Sequence, residues 1–513
     1  MRALVLCLAL SACGGGQVRP VLADEAVAIR SLQGRIIFAT RSPTPTGASR
    51  ERGRLPAPFV LIRAIGAEGD VLASTRTDED GSFRFEDAIP AVELEVVTNL
   101  ETDGHVLSVT TDGAGELPHT LRVLVSADDA QLIDLDDDQK IAGALHILEA
   151  LLRGARAAKR WTGRTLPPFF CYWDRGITTN WSFYSGERGD TGRYTIELLG
   201  GEPNAQTTTD TDEHDEGIIL HEFGHFVMDV LSSSSSHGGS HPRGVLIDPG
   251  LAWEEGRATW FATAVLGVGW YQDTVGLEPN GELRVHHDVE RGIPPDLRGI
   301  GSEGGVSEIL WDLADGTPGG LPDEDLDGIA LGPDGVLAAM VAMAEQPGAF
   351  PTIRSFLGFL IESGRVERDA LRHLLQLGGH PMTLLESDPW PLAFEINGSV
   401  AGKVDGLSSP APSGGPRRPS NGLDAVAVYR IHVPEPGTLE LTLTIDGSGS
   451  PQDHTDLDLE LRDIRSDAIE SSQGEERTES VSALVEAGFY IVYVRDGGGG
   501  NKAGYRLESR LIR

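Results

Sequence analysis

Residues 216–231 read Glu-Gly-Ile-Ile-Leu-His-Glu-Phe-Gly-His-Phe-Val-Met-Asp-Val-Leu, and inside them lies His221-Glu222-Phe223-Gly224-His225. Ile218, Ile219, Leu220, Phe223, Val227, Met228 and Leu231 recur at three- and four-residue intervals, which predicts a helix over 217–230. Asp212, Glu213, Asp215 and Glu216 stand at its front, where negative charge favours the positive end of the helix dipole. On such a helix His221 and His225 project from one face and can close on a single metal ion, with Glu222 beside them. Two neutral imidazoles suit a borderline-soft divalent cation such as zinc. The carboxylate is then left to take a proton from water rather than bind the metal. The same pattern also describes a buried helix with two hydrogen-bonded histidines, so the flanking sequence has to decide.

Downstream, 251–265 form a second helical run containing Trp253-Glu254-Glu255-Gly256-Arg257-Ala258. A site with two histidines needs a third ligand from another element and one position left for water. His221-Glu-Phe-Gly-His225 followed by Trp253-Glu-Glu-Gly-Arg-Ala resembles the gluzincin zinc metallopeptidases. The resemblance implies a glutamate ligand on a downstream helix, with Glu255 before Gly256 as the matching position and Glu254 as the fallback. It also implies hydrolysis of peptide bonds by water, with Glu222 as general base and His221, His225 and Glu255 holding one zinc ion. The sequence departs from that family in several places. The span 226–254 is long, the Gly-x-Met-Glu-Asn exopeptidase motif is absent, and Met228 and Leu231 exclude the metzincin extension. Thr259 stands where thermolysin-type enzymes place an Asp that orients a histidine, so support for the ligands is expected from elsewhere. Tyr271, His286 and His287 are candidates for stabilising the oxyanion.

Around this centre, Ser232 to Ser236 with His237 and His241 read as a mobile polar loop. Either histidine is a further ligand or substrate contact, or an ordinary loop residue. Tyr194-Thr-Ile-Glu-Leu-Leu is a strand candidate just before the motif helix, in the place where an edge strand receives an extended peptide. Two other readings stay open: a catalytically silent zinc-binding surface protein whose β-domains bind a partner, and a zinc hydrolase acting on a non-peptide amide.

The chain has 513 residues and a formal net charge of −36, which argues against nucleic acid or an anionic membrane surface as a partner. Met1-Arg2, an apolar run and Leu10-Ser11-Ala12-Cys13 read as an export signal over 1–13. Its end is similar to the lipobox of bacterial lipoproteins, implying a lipid anchor on Cys13 and, with Gly14 following, an outer-membrane destination. With Cys7 removed and Cys13 lipidated, Cys171 has no partner for a disulfide.

Short β runs separated by turns fill 29–127. Together with Thr77-Asp78-Glu79-Asp80-Gly81-Ser82-Phe83-Arg84-Phe85 they resemble the carboxypeptidase regulatory-like domain. Asp134, Asp136, Asp137 and Asp138 are expected at the start of an amphipathic helix that opens the central domain, 134–395. After a Pro/Ser/Gly-rich stretch at 408–421, Tyr429-Arg-Ile-His-Val, Thr455-Asp-Leu-Asp-Leu-Glu-Leu and Ala487-Gly-Phe-Tyr-Ile-Val-Tyr-Val look like the bacterial pre-peptidase C-terminal domain, over 396–513. The expected organisation is multidomain: an N-terminal β-sandwich, a central α+β zincin-like metallopeptidase domain and a C-terminal β-sandwich. Calcium is a weaker candidate at Asp78 and Asp80, in the EF-hand-like run Asp323-x-Asp325-x-Asp327, and at Asp456 and Asp458.

Overall fold

The computed structural model describes residues 30–49, 52–126, 130–136, 139–179, 181–186, 193–202, 209–234, 236–239, 241, 244–275, 282–290, 292–316, 320–321, 327–386, 390–406, 421–446, 456–474, 476–497 and 502–513. Cys13 lies outside them, as do Asp323 and Asp325. The chain is mixed α/β with several sheets. Among the described residues there are seven α-helices: α1 Lys140–Thr162, α2 Glu216–Leu231, α3 Pro249–Leu266, α4 Glu303–Ala314, α5 Gly332–Ala344, α6 Ile353–Glu362 and α7 Arg368–Leu377.

The N-terminal strands form two sheets. In one, Arg30–Thr40 pairs with Gly53–Pro56, Ser82–Ile89 and, in parallel, Ala130–Leu135. The other has eight strands and runs in the order Phe183–Ser185, Tyr194–Leu198, Phe169–Trp173, His105–Thr110, Glu93–Thr102, Val60–Ile65, Val71–Arg76, with Thr120–Leu124 also on Glu93–Thr102. This second sheet crosses the boundary expected between 127 and 134, because His105–Thr110 pairs in parallel with Phe169–Trp173. A single apolar core follows it across, from Leu32 and Leu94 through Leu148 and Phe169 to Phe223 and Trp260. The cause is the strand His105–Thr110, which is buried at five of its six positions and would leave an apolar edge bare in an isolated sandwich. Phe169–Trp173 covers that edge, and α1 packs on its face.

Two local expectations change as a result. Asp134 does not start a helix: it lies in Ala130–Leu135, and Arg54 Nε reaches its Oδ1 at 2.9 Å while Arg54 also meets Asp136. α1 begins at Lys140 with no acidic residue in its first turn. Tyr194–Leu198 is not an edge strand either, since Phe183–Ser185 pairs with it over Thr195–Glu197 on the side away from Phe169–Trp173. A peptide adding to this end of the sheet meets the three-residue strand instead.

The C-terminal part consists of a five-stranded and a four-stranded sheet around one apolar core. Tyr429 and Tyr505, one from each sheet, join hydroxyls across it at 2.6 Å. This part docks on the rest of the chain through a second apolar group, in which Phe350 meets Val426, Val428, Ile491 and Tyr493. Arg430 adds a hydrogen bond to the Gly348 carbonyl at 2.9 Å.

Candidate metal centre

α2 extends one residue beyond the expected range at each end, and its apolar side, Ile219, Phe223, Phe226 and Val227, is fully buried. α3 crosses it closely. A Cβ on Gly224 would stand 3.2 Å from both Cα and O of Ala258, so the small residue between the two histidines sets the approach of the helices. Gly256 does the same for α4: a Cβ there would meet Val306 Cβ at 2.4 Å and the Glu303 carbonyl oxygen at 2.6 Å. Gly256→Ala is therefore expected to cost about 1–3 kcal/mol of stability by overpacking. Thermal unfolding followed by circular dichroism reads this, and a melting temperature equal to that of the native protein would show that α4 yields freely.

α2 and α3 bring His221, His225 and Glu255 together, with one nitrogen or oxygen of each within 4.8 Å of the others. His221 Nε2 lies 3.2 Å from Glu255 Oε2 and 3.2 Å from His225 Nε2, and His225 Nε2 lies 3.3 Å from Glu255 Oε2. A tetrahedral ion with bonds of about 2.0–2.2 Å spaces its ligand atoms about 3.3–3.6 Å apart, so this nearly equilateral triangle fits one small cation at the short end of that range. Glu222 is buried on the same helix and lies outside the triangle.

Supporting contacts depart from the sequence reading. Thr259 Oγ1 is 3.1 Å from His221 Nδ1, so Thr259 itself orients that imidazole, at the position where support was expected from elsewhere. Glu254 turns away into a buried ion pair with Arg257, whose Nε lies 3.0 Å from Glu254 Oε2 and whose Nη1 donates to Ser232 Oγ at 2.8 Å. Of the three oxyanion candidates, Tyr271 is buried with its ring centroid 5.6 Å from that of His221. His287 faces it across the hairpin Trp270–Val275/Glu282–Asp288 and meets Ser307 Oγ at 3.1 Å. His286 is exposed, paired opposite Gln272, and is not brought to the triangle.

His241 comes to the centre from the long connection between α2 and α3. Its Nε2 lies 3.7 Å from Glu255 Oε2 and its Nδ1 3.3 Å from Glu303 Oε2, on the first turn of α4. Glu255 holds the His241 imidazole up at about 10 against burial. At His225, burial works to lower the value, but Glu255 outweighs it and brings it up to about 9. Glu303 carried no sequence signal, because nothing local marks a carboxylate that pairs with a histidine sixty-two positions away.

The calcium candidates resolve differently. Asp78 and Asp80 both accept from the Ser82 amide, at 2.8 and 3.0 Å, as in a tight turn. Asp327 accepts from Ile329 N at 2.7 Å. Asp458 is pushed up to about 6 by burial and then by Asp456. Asp212, read from the sequence only as charge at the front of α2, joins Asp210 and Asp273 in a cluster with carboxylate oxygens within 4.8 Å of one another. Asp215, at the same end, accepts from Thr274 N at 3.0 Å and Thr274 Oγ1 at 2.8 Å.

No family model and no curated protein matches the chain. Among solved structures, it is similar over 23% of its length to the pre-peptidase C-terminal domain of a collagenase from Bacillus anthracis, at 14% identity, 92% coverage of that chain and a TM-score of 0.17. Over 24% of its length it is similar to PliG, a periplasmic inhibitor of g-type lysozyme from Aeromonas hydrophila, at 13% identity, 96% coverage and a TM-score of 0.16. TM-scores this low carry no argument about the chain, and the two-sheet C-terminal part rests on its own strand pairing.

Proposed function

We propose that the chain is a zinc-dependent peptidase, exported and lipid-anchored through Cys13, that hydrolyses internal peptide bonds. The observation that carries the reading is the triangle of His221, His225 and Glu255 with a buried carboxylate, Glu222, next to it and outside it. Two imidazoles and one carboxylate are a donor set suited to catalytic zinc, with one position left open. When bound, zinc supplies a Lewis acid that lowers the pKa of a coordinated water toward ~7 and polarises a carbonyl.

The chain's own groups do the rest. Glu222 accepts the proton of the attacking water and delivers it to the leaving amine, and Thr259 holds His221 in the orientation that points Nε2 into the triangle. Tyr271 and His241 are the polar groups at hand for charge developing on the scissile carbonyl oxygen.

Metal content of the signal-free protein by mass spectrometry, run with casein cleavage, tests this. One zinc per chain with cleavage upholds it. One zinc with no cleavage of a broad peptide library favours the silent or non-peptide reading, and no zinc uptake removes the central claim. Metal binding also has a definite pH dependence. His225 stays protonated up to about 9 without metal, and a ligand imidazole must be neutral, so zinc displaces its proton at pH 7. Apparent affinity is therefore expected to rise by at least roughly tenfold per pH unit below about 9, more where the His241 proton held by Glu255 is also released. Calorimetry in buffers of different ionisation enthalpy reads the released proton, and a buffer-independent heat at pH 7 would contradict it.

A further inference from the structure

Among its described residues the connection from α2 to α3 has no helix or strand of its own, yet both of its sides are held. On the outer side the C-terminal sandwich grips it just before its strand Val426–Val433: Asp248 N donates to Asn421 O at 2.8 Å and Leu423 N to Leu246 O at 2.9 Å, with Ile247 and Gly422 bridged. Asn421 Nδ2 reaches the Gly238 carbonyl at 3.4 Å. The His237 side chain is fully buried, set edge-on to the Tyr493 ring with centroids 5.1 Å apart. On the inner side Ile247 N donates to Gly301 O at 2.9 Å, one residue before the Ser302 cap of α4 and two before Glu303. Between these holds, His241 spans Glu303 and Glu255.

We propose that the C-terminal sandwich is a working part of the metal centre: through His237, Leu423 and Tyr493 it clamps this connection and thereby sets His241 against Glu255. The consequence for bound metal rests on the zinc reading above, whereas the clamp does not. Gly238 and Gly239 have φ of +69° and +103°, a backbone with little local preference, so at its outer side the path is selected by the sandwich rather than by the local sequence. His237, Leu423 and Tyr493 are positioning residues. The group they position is an imidazole whose Nδ1 is fixed by Glu303, leaving Nε2 to act on whatever occupies the open side of the triad.

The test uses the full signal-free chain and the variants His237→Ala, His237→Phe, Leu423→Pro and His241→Ala. Leu423→Pro removes the amide that Leu246 O accepts, at the first position of a helical turn where proline is tolerated. Hydrogen exchange of the metal-free proteins reads the clamp, and the visible spectrum of bound cobalt(II) reads the centre. His237→Ala and Leu423→Pro are expected to raise exchange over 237–248 roughly tenfold while distant peptides stay unchanged. Both are expected to bind one cobalt with the spectrum of His241→Ala, and His237→Phe, which keeps a ring against Tyr493, to return exchange and spectrum to those of the native protein. Unchanged exchange in both clamp variants overturns the proposal, and so does raised exchange with a native cobalt spectrum. If the native protein takes up no cobalt, the metal reading fails and the exchange result alone upholds or overturns the clamp.

Discussion

Glu222→Gln is expected to abolish casein cleavage while one zinc ion stays bound. Glu222 is buried on α2 next to His221 but contributes no atom to the triangle, so exchanging one carboxylate oxygen for an amide nitrogen leaves the three ligand atoms where they are. What disappears is the capacity to accept a proton, because an amide does not take one near neutral pH. Loss of a general base costs roughly 10²–10⁴ in rate, and here the same group also serves the leaving amine, so the upper end is expected. The measurement is kcat on a quenched peptide alongside metal content. Retained turnover would place the base elsewhere, and lost metal would make Glu222 a ligand.

Exchanging the two neighbouring glutamates is expected to give opposite outcomes. Glu255→Ala removes one vertex of the triangle, leaving two imidazoles for the ion, and metal affinity should fall by well over the roughly 10–100-fold typical of losing a supporting residue. Glu254→Ala leaves the triangle intact but strands Arg257, which is 1% exposed, without its carboxylate. Breaking a buried pair from one side costs about 3–5 kcal/mol, so this variant should bind zinc and unfold at a markedly lower temperature. Metal titration and thermal unfolding of both proteins decide it. Loss of zinc from Glu254→Ala with retention in Glu255→Ala would reverse the assignment of the third ligand.

The parts of the centre legible in the chain are those that a helix repeat determines. A four-residue spacing puts His221 and His225 on one face whatever surrounds them, and the apolar periodicity of 217–230 and 251–265 marks both helices. Glu255 over Glu254 was legible only through a resemblance, and its physical basis appears in three dimensions: adjacent residues on a helix point about 100° apart, so only one of the pair can face α2. The acidic front of α2 shows the opposite case. As sequence it reads as charge complementing the helix dipole, whereas in the fold Glu216 is also buried between His146 at 3.1 Å and Arg153 at 2.7 Å, and Asp215 is taken up by Thr274.

By itself, then, the sequence determined the motif helix, the facing histidines, the carboxylate beside them and the β character of both ends. The tertiary structure decided three things. The N-terminal sheet continues through Phe169–Trp173 into the body that carries the site, Thr259 supports His221, and the C-terminal sandwich holds the connection bearing His241. The physical reason is common to all three. Periodicity specifies which face of an element is buried, but the partner of a sheet edge, or of a loop without periodicity, is set by which distant surface is left to cover it, and no local pattern encodes that.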